Sequence, residues 1–213
     1  MEIIYHAKIM TPWDSFFKDA CIKIFTECKI VVDIGGGLRV LKDRGNRYDP
    51  KREWIRPYLE RVDYKILDPV PDFHPDIVGD IHNLPFVDGS QEAILCLAVL
   101  EHVENSARAY HELYRVLKPG GYCLIYVPFL FYYHAEVGYY KDYWRFSGDA
   151  IKYLSRDFSR VEIQNVRGAL ETWLHISPFG RIALLRSTAR ILDRLLGKTK
   201  STQTSGYYVF LTK

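Results

Sequence analysis

The run Lys29-Ile30-Val31-Val32-Asp33-Ile34-Gly35-Gly36-Gly37 constrains the fold of this chain more than any other feature. A short, β-rich apolar run that ends in clustered glycines reads as a buried parallel strand and its turn. Glycine accepts φ > 0 without a Cβ penalty and lets the backbone approach a ligand closely. At the carboxyl edge of an α/β sheet such a turn is where nucleotide-like ligands bind. Taken alone, the glycine cluster is equally compatible with a purely structural turn.

The pattern around it supports a parallel sheet. Residues 14–28 place Phe17, Cys21, Ile24 and Cys28 at helical spacing, with Thr11 or Asp14 as cap. After the glycine turn come a strand ending at Asp68, a short strand ending at Asp80 and the apolar run 93–100. Asn105 or Ser106 caps a helix that stops at Lys118-Pro119-Gly120-Gly121, and a strand follows over 122–128. Strands alternating with helices predict an α/β, doubly wound, Rossmann-like architecture. A helix over 149–156, a strand over 160–166, a helix over about 181–197 and a final strand from 206 complete the chain. No internal repeat or linker divides the 213 residues, so a single domain is expected: an N-terminal helical segment (1–29), a ligand-binding core (30–128) and an acceptor loop with helices and C-terminal strands (129–213).

Composition narrows the class. Hydrophobic residues make up 48% and charged residues 26%, the balance of an ordinary globular protein. A net charge of +3 lacks the strong basic stripe expected of a nucleic-acid binder. Cys21, Cys28, Cys96 and Cys123 sit among apolar neighbours with neither a CxxC pair nor a His at ligand spacing, so buried thiols in a reducing cytoplasm are expected, and no metal site. No signal-peptide core and no run of 18 apolar residues occurs, so a cytoplasmic location is expected.

The five segments DIGGG (33–37), KILD (65–68), VGDIHNLPF (78–86), AILCLAVLEHV (93–103) and LKPGG (117–121) fall in order and together resemble the type 11 methyltransferase domain family of the class I S-adenosylmethionine (SAM) methyltransferases. The resemblance covers roughly 30–128. It implies a seven-stranded sheet, mostly parallel with the last strand antiparallel, and SAM as cofactor. It further implies that Gly35, Gly36 and Gly37 form the cofactor turn and that Asp33 lies where a carboxylate meets the cationic amino end of SAM, directly or through water. Asp68 is expected on the ribose hydroxyls, a role that NAD sites share. Asp80 and the backbone N–H of Ile81 are expected at the adenine, and Leu97 and Ala98 under the methionine. Glu101-His102 occupies the family's Glu-His position beside the sulfonium.

Two features depart from the family pattern. Arg39 stands where a fuller motif has a third glycine, and Asp68 follows Asp33 by 35 positions, against roughly 20 for the usual strand-to-acid spacing. The excess is the charged segment 39–61, with eight Lys/Arg against four Asp/Glu, read as a solvated surface, a long first crossover or an anion-binding insertion. Val40 occupies the position where a dinucleotide fingerprint needs glycine, which disfavours a nicotinamide-dependent oxidoreductase. A non-catalytic SAM-binding scaffold or partner subunit stays open.

SAM carries its own activated methyl group, so the protein has to align an acceptor, exclude water and, for a hydroxyl, remove a proton. His102 and His134 are the candidate bases; the plainer readings are a turn histidine and a surface-loop histidine. The 129–146 loop holds nine aromatic residues in eighteen and suits either a lid or a wall for an acceptor ring. Tyr133, Asp142, Tyr143 and Arg145 are its candidate acceptor contacts. The Asp142-Tyr143-Trp144-Arg145-Phe146 run is similar to one in family members from glycan and small-molecule pathways, which implies a small-molecule acceptor such as a sugar or glycolipid. Residues 181–197 gather Leu184, Leu185, Ile191, Leu192, Leu195 and Leu196 on one helical face. That face is expected either to cover the core or a second subunit, in a monomer or homodimer, or to lie on an anionic membrane.

Overall fold

The computed structural model describes residues 10–42 and 48–213. Helix α1 (Pro12–Glu27) starts where Thr11 accepts the Asp14 backbone N–H at 3.1 Å, with Pro12 in its first turn. Seven strands follow: β1 (Ile30–Ile34), β2 (Asp63–Asp68), β3 (Ile77–Val78), β4 (Gln91–Leu97), β5 (Leu117–Pro128), β6 (Arg160–Val166) and β7 (Gly206–Thr212). They form one sheet in the order β3-β2-β1-β4-β5-β7-β6. Strands β1 to β5 pair in parallel, and β7 runs antiparallel between β5 and β6, as the family resemblance implies.

Side chains alternate across this sheet with the strand period of two. Val31, Ala93, Leu95, Leu97, Leu124 and Phe210 face α1, where Phe17, Cys21, Ile24 and Phe25 pack on them. Val32, Ile34, Ile94, Cys96, Cys123, Ile125, Val209 and Leu211 face the opposite layer. That layer includes α3 (Ser106–Val116), through Tyr110 and Leu113, and α4 (Gly148–Leu154), through Ile151. All four cysteines are free and buried, as expected from their apolar neighbours, and burial pushes the Cys28 thiol up to about 11. Among the described residues no helix is long and apolar enough to cross a membrane.

Three local expectations change. The 39–61 segment is a crossover rather than a solvated surface: Val40 and Ile55 are buried on the α1 side, and Trp54, Tyr58 and Leu59 pack beside them. Its short helices cover Pro50–Ile55 and, as α2, Arg56–Leu59; the Gly45-Asn46 turn lies outside the described residues. Among its described charges Lys42, Lys51, Glu60 and Arg61 are exposed, whereas Arg52 is half-buried. The fifth strand starts at Leu117 rather than 122, because Gln91 pairs with Leu117 before a register shift. Helix α5 (Ala169–Ile176), which periodicity alone did not reveal, packs against α6 (Ala183–Leu195).

Helix α6 does not turn its apolar face to the core. Asp193, 1% exposed, accepts the Leu170 and Glu171 backbone N–H groups at 2.9 Å each and so caps α5 from outside its own chain segment. Arg190 pairs with the buried Glu171 at 2.5 and 3.0 Å. These polar anchors fix the helix by its charged edge, so Leu184, Leu192 and Leu195 stay exposed. Asp193→Ala leaves two N–H donors without an acceptor and should destabilise the protein by about 1–3 kcal/mol. Leu192→Asp, on the exposed face, should change stability by less than about 0.5 kcal/mol. Urea denaturation of both variants checks this; the opposite ranking would mean that the apolar face is covered.

Candidate functional site

The carboxyl ends of β1, β2 and β4 open onto one cavity. Its floor is the glycine turn. The Asp33 carboxylate, fully buried, accepts the Gly37 N–H at 3.1 Å, the Leu38 N–H at 2.9 Å and the Tyr64 hydroxyl at 2.6 Å. Burial pushes this carboxyl up to about 6, against the three donors and the Arg52 guanidinium that favour its charged form. Arg52 in turn donates to the Gly37 carbonyl and stacks 5.0 Å from the Phe17 ring. Gly35 and Gly36 sit at φ +77 and +58, and a Cβ on Gly37 would stand 2.6 Å from the Leu97 Cβ. The chain thus needs small residues here for conformation and for close approach to β4.

Around this floor the structure brings together Gly35, Gly37, Asp68, Asp80, Ile81, Leu97, Ala98, His102 and His134 as cavity lining. Asp68 is 6% exposed and accepts the Val70 N–H at 2.9 Å, which aims its carboxyl end along the β2 edge. Asp80 caps a short 3-10 turn by accepting the His82 N–H at 2.8 Å. Ala98 holds φ 58, a left-handed conformation unusual for a residue with a Cβ, at the point where β4 ends. Gly36 instead lines a smaller adjoining pocket with Tyr64 and Asp68. Asp33 lines neither pocket: its oxygens are engaged inside the turn.

The aromatic loop forms the roof. Tyr143 and Trp144 donate their backbone N–H groups to the Glu101 carbonyl at 2.7 and 3.2 Å, and the Trp144 indole donates to the Val103 carbonyl at 2.8 Å. Asp142 accepts Arg145 bidentately at 2.6 and 2.7 Å and the His134 N–H at 2.8 Å. The Arg145 pair holds the Asp142 carboxyl down at about 2. Arg145 also donates to the Tyr132 carbonyl at 2.8 Å. These two residues, expected at the acceptor, are occupied in shaping the loop. Tyr143 donates its hydroxyl to Glu104 at 2.9 Å, and Tyr133 points outward at 74% exposure. The loop reaches the cavity through Tyr140, whose ring lies 4.3 Å from His102, and through Tyr139, 5.0 Å from Phe73.

A second cleft meets the cavity at Gly37, Arg39, Leu97 and Ala98. Its far walls include Trp13, Tyr126, Phe131, Tyr132, Arg167 and His175. Burial, with Arg167 and Arg186 nearby, lowers His175 to about 4, so its imidazole is neutral. The sequence reading missed this cleft because its walls come from α1, β5, α5 and the end of β6, which no local motif links. Glu101 was noted only as half of a motif. In the structure it is fully buried, and it holds His134 above the usual histidine range, helped by the Tyr132 carbonyl and Asp142 against burial.

Comparisons with known proteins agree with this architecture. Residues 58–125 match the family model of the methyltransferase domain. A ubiquinone/menaquinone biosynthesis C-methyltransferase from Desulfotalea psychrophila is 43% identical over 47 residues, 22% of this chain and 19% of that protein. Matches to the curated relatives span 13% to 25% of their own length. A SAM-dependent methyltransferase structure from Archaeoglobus fulgidus superposes with a TM-score of 0.59 at 14% identity, over 93% of this chain and 92% of that one. A Burkholderia thailandensis 1,6-didemethyltoxoflavin N1-methyltransferase, solved with its acceptor and S-adenosylhomocysteine, gives 0.53 at 15% identity, over 92% and 77%. The seven-stranded sheet thus has the fold of these SAM-dependent methyltransferase structures, and the part of it within residues 58–125 matches the methyltransferase domain model.

Proposed function

We propose that this chain transfers the SAM methyl group to an oxygen of a small acceptor held in the second cleft. The observation that carries the reading is the shared wall: Gly37, Leu97 and Ala98 border both the cofactor cavity and the cleft. A methyl carbon presented at that wall stands between a cofactor on one side and an acceptor on the other. Alignment of this kind is worth about 7–11 kcal/mol of barrier. Asp68 takes the ribose hydroxyls, Asp80 and the Ile81 N–H take adenine, and the glycine turn leaves room for the methionine end. His102 and His134 stand on the roof as candidate groups for the acceptor proton. The cleft's Arg39, Lys51 and Arg167 beside Trp13, Phe131 and Tyr132 fit an acceptor that joins a ring to an anionic group, such as a sugar phosphate or acidic glycolipid.

Asp68→Ala should weaken SAM binding by about 1.5–3 kcal/mol with the fold intact. Gly37→Ala, by pressing a Cβ onto Leu97, should cost about 1–3 kcal/mol of stability and narrow the shared wall. Calorimetric titration with SAM and NAD, combined with thermal melts, decides both. Binding of NAD but not SAM overturns the reading. A screen with methyl-labelled SAM against glycans, lipids and small metabolites then tests the acceptor; tight SAM binding with no transfer to any of them favours a scaffold.

The acceptor class and the α6 face belong to one picture, in which the enzyme docks on an anionic bilayer. Ile182, Leu184, Leu185, Ile191, Leu192, Leu195 and Leu196 are 40% to 76% exposed. Arg181, Arg194, Lys198 and Lys200 rim them, and Asp193, the one acid of 181–200, is buried. A second copy would set this basic rim against itself, whereas anionic headgroups complement it. The protein should co-sediment with phosphatidylserine-containing vesicles at low salt, less at high salt, and not with neutral phosphatidylcholine. Arg194→Glu plus Lys198→Glu should abolish the effect without unfolding the protein. Failure to sediment, or a dimer in light scattering that Leu195→Asp dissolves, rules the docking out.

A further inference from the structure

We infer that Glu101, His102 and His134 form a binding site for a first-row divalent cation at the roof of the cofactor cavity. The three side chains each offer one ligand atom, and these atoms lie within 4.8 Å of one another. The Glu101 Oε1 stands 3.6 Å from the His134 Nε2 and 3.9 Å from the His102 Nε2. Two donors about 2.1 Å from a common ion stand roughly 3–4 Å apart, so both carboxylate–imidazole separations match a shared ion, and the cluster as a whole needs to close by no more than about an ångström to hold one.

Hydrogen bonding explains why an ion belongs there. The His102 Nδ1 lies 2.7 Å from the Lys141 carbonyl oxygen, which can only accept, so Nδ1 carries the proton. The His134 Nδ1 lies 3.1 Å from the Tyr132 carbonyl and 3.3 Å from an Asp142 oxygen, both acceptors, which assigns its proton likewise. In its neutral form each imidazole therefore turns its Nε2 lone pair toward Glu101, where a cation would take the place of the proton that Glu101 otherwise favours on His134. That carboxylate is fully buried, and neither of its oxygens has a hydrogen-bond partner. Three acceptors converge with no donor among them, an arrangement that burial penalises heavily unless a positive charge fills it. Backbone carbonyls that fix the outer nitrogen of each histidine are also the usual support of metal-bound imidazoles.

Two imidazoles and one carboxylate suit Zn²⁺, Co²⁺ or Mn²⁺ and leave coordination positions free. Both histidines line the cofactor cavity, so those positions face it. With the ion bound neither imidazole keeps a free lone pair, and the ion would instead ease removal of the acceptor proton by lowering the pKa of a hydroxyl that reaches it. It would also tie the roof loop, through His134, to the end of β4. The site borders the proposed cofactor cavity, but its occupancy stands independently of that reading, and the test is run without SAM.

Protein stripped with a chelator and titrated with Co²⁺ should bind one equivalent and develop the visible absorption of mixed nitrogen and oxygen ligation, which Zn²⁺ then displaces. Glu101→Gln, His102→Ala and His134→Ala should each weaken Co²⁺ binding on the order of tenfold or more. His111→Ala, exposed on α3, should leave it unchanged. Circular dichroism checks the fold of each variant, and if Glu101→Gln does not fold, the partly exposed His102→Ala decides. Absence of a stoichiometric ion overturns the site, as does binding that all three variants retain. So does an NMR signal showing His134 as an imidazolium in the presence of excess Zn²⁺, since a proton would then occupy the place of the ion.

Discussion

The Asp33 carboxylate is the constraint on which the rest of the molecule depends. It sits at zero exposure between β1 and the glycine turn, accepting two backbone N–H groups from the turn and the Tyr64 hydroxyl from β2. A buried carboxylate with three donors is a rigid corner. It fixes where the chain leaves β1, and hence how near Gly37 comes to Leu97. That contact is the wall between the cavity above the glycine turn and the neighbouring cleft. The acid expected near the amino end of the cofactor, directly or through water, also builds the turn.

The same economy runs through the roof. Asp142 and Arg145 neutralise each other and bind the loop backbone, so the loop has a defined shape despite its irregular sequence. The loop is then held to the turn that follows β4, by its main chain at the Glu101 carbonyl and by the Trp144 indole at the Val103 carbonyl. Strain at Ala98 marks the same place, where β4 ends and both cavities begin. Among the described residues, both Glu101 oxygens are buried here without a hydrogen-bond donor, and the imidazoles of His102 and His134 face one of them. Elsewhere, polar anchoring decides orientation as well: Asp193 and Arg190 hold α6 by its charged edge and leave its leucines outside.

Much of the fold was legible in the chain itself. The alternation of apolar strands with capped helices determined the parallel sheet, because backbone periodicity and capping are local properties. The glycine cluster after β1, Asp68 at the end of β2 and Asp80 after β3 marked the cavity rim for the same reason: each lies where a strand stops at the sheet's carboxyl edge. Five ordered motifs carried the antiparallel last strand by resemblance. What tertiary structure alone decided is which groups are free to act. The internal partners of Asp33, Asp142 and Arg145, residues that the sequence marks as candidate ligands, come only with the fold. Glu101 reads as half of a motif, yet folding strands it beside two histidines, one of them 33 residues away. Which way α6 turns its apolar face, left open by the sequence, and the cleft walled by α1, β5 and α5 likewise depend on long-range hydrogen bonds and packing that no local pattern encodes.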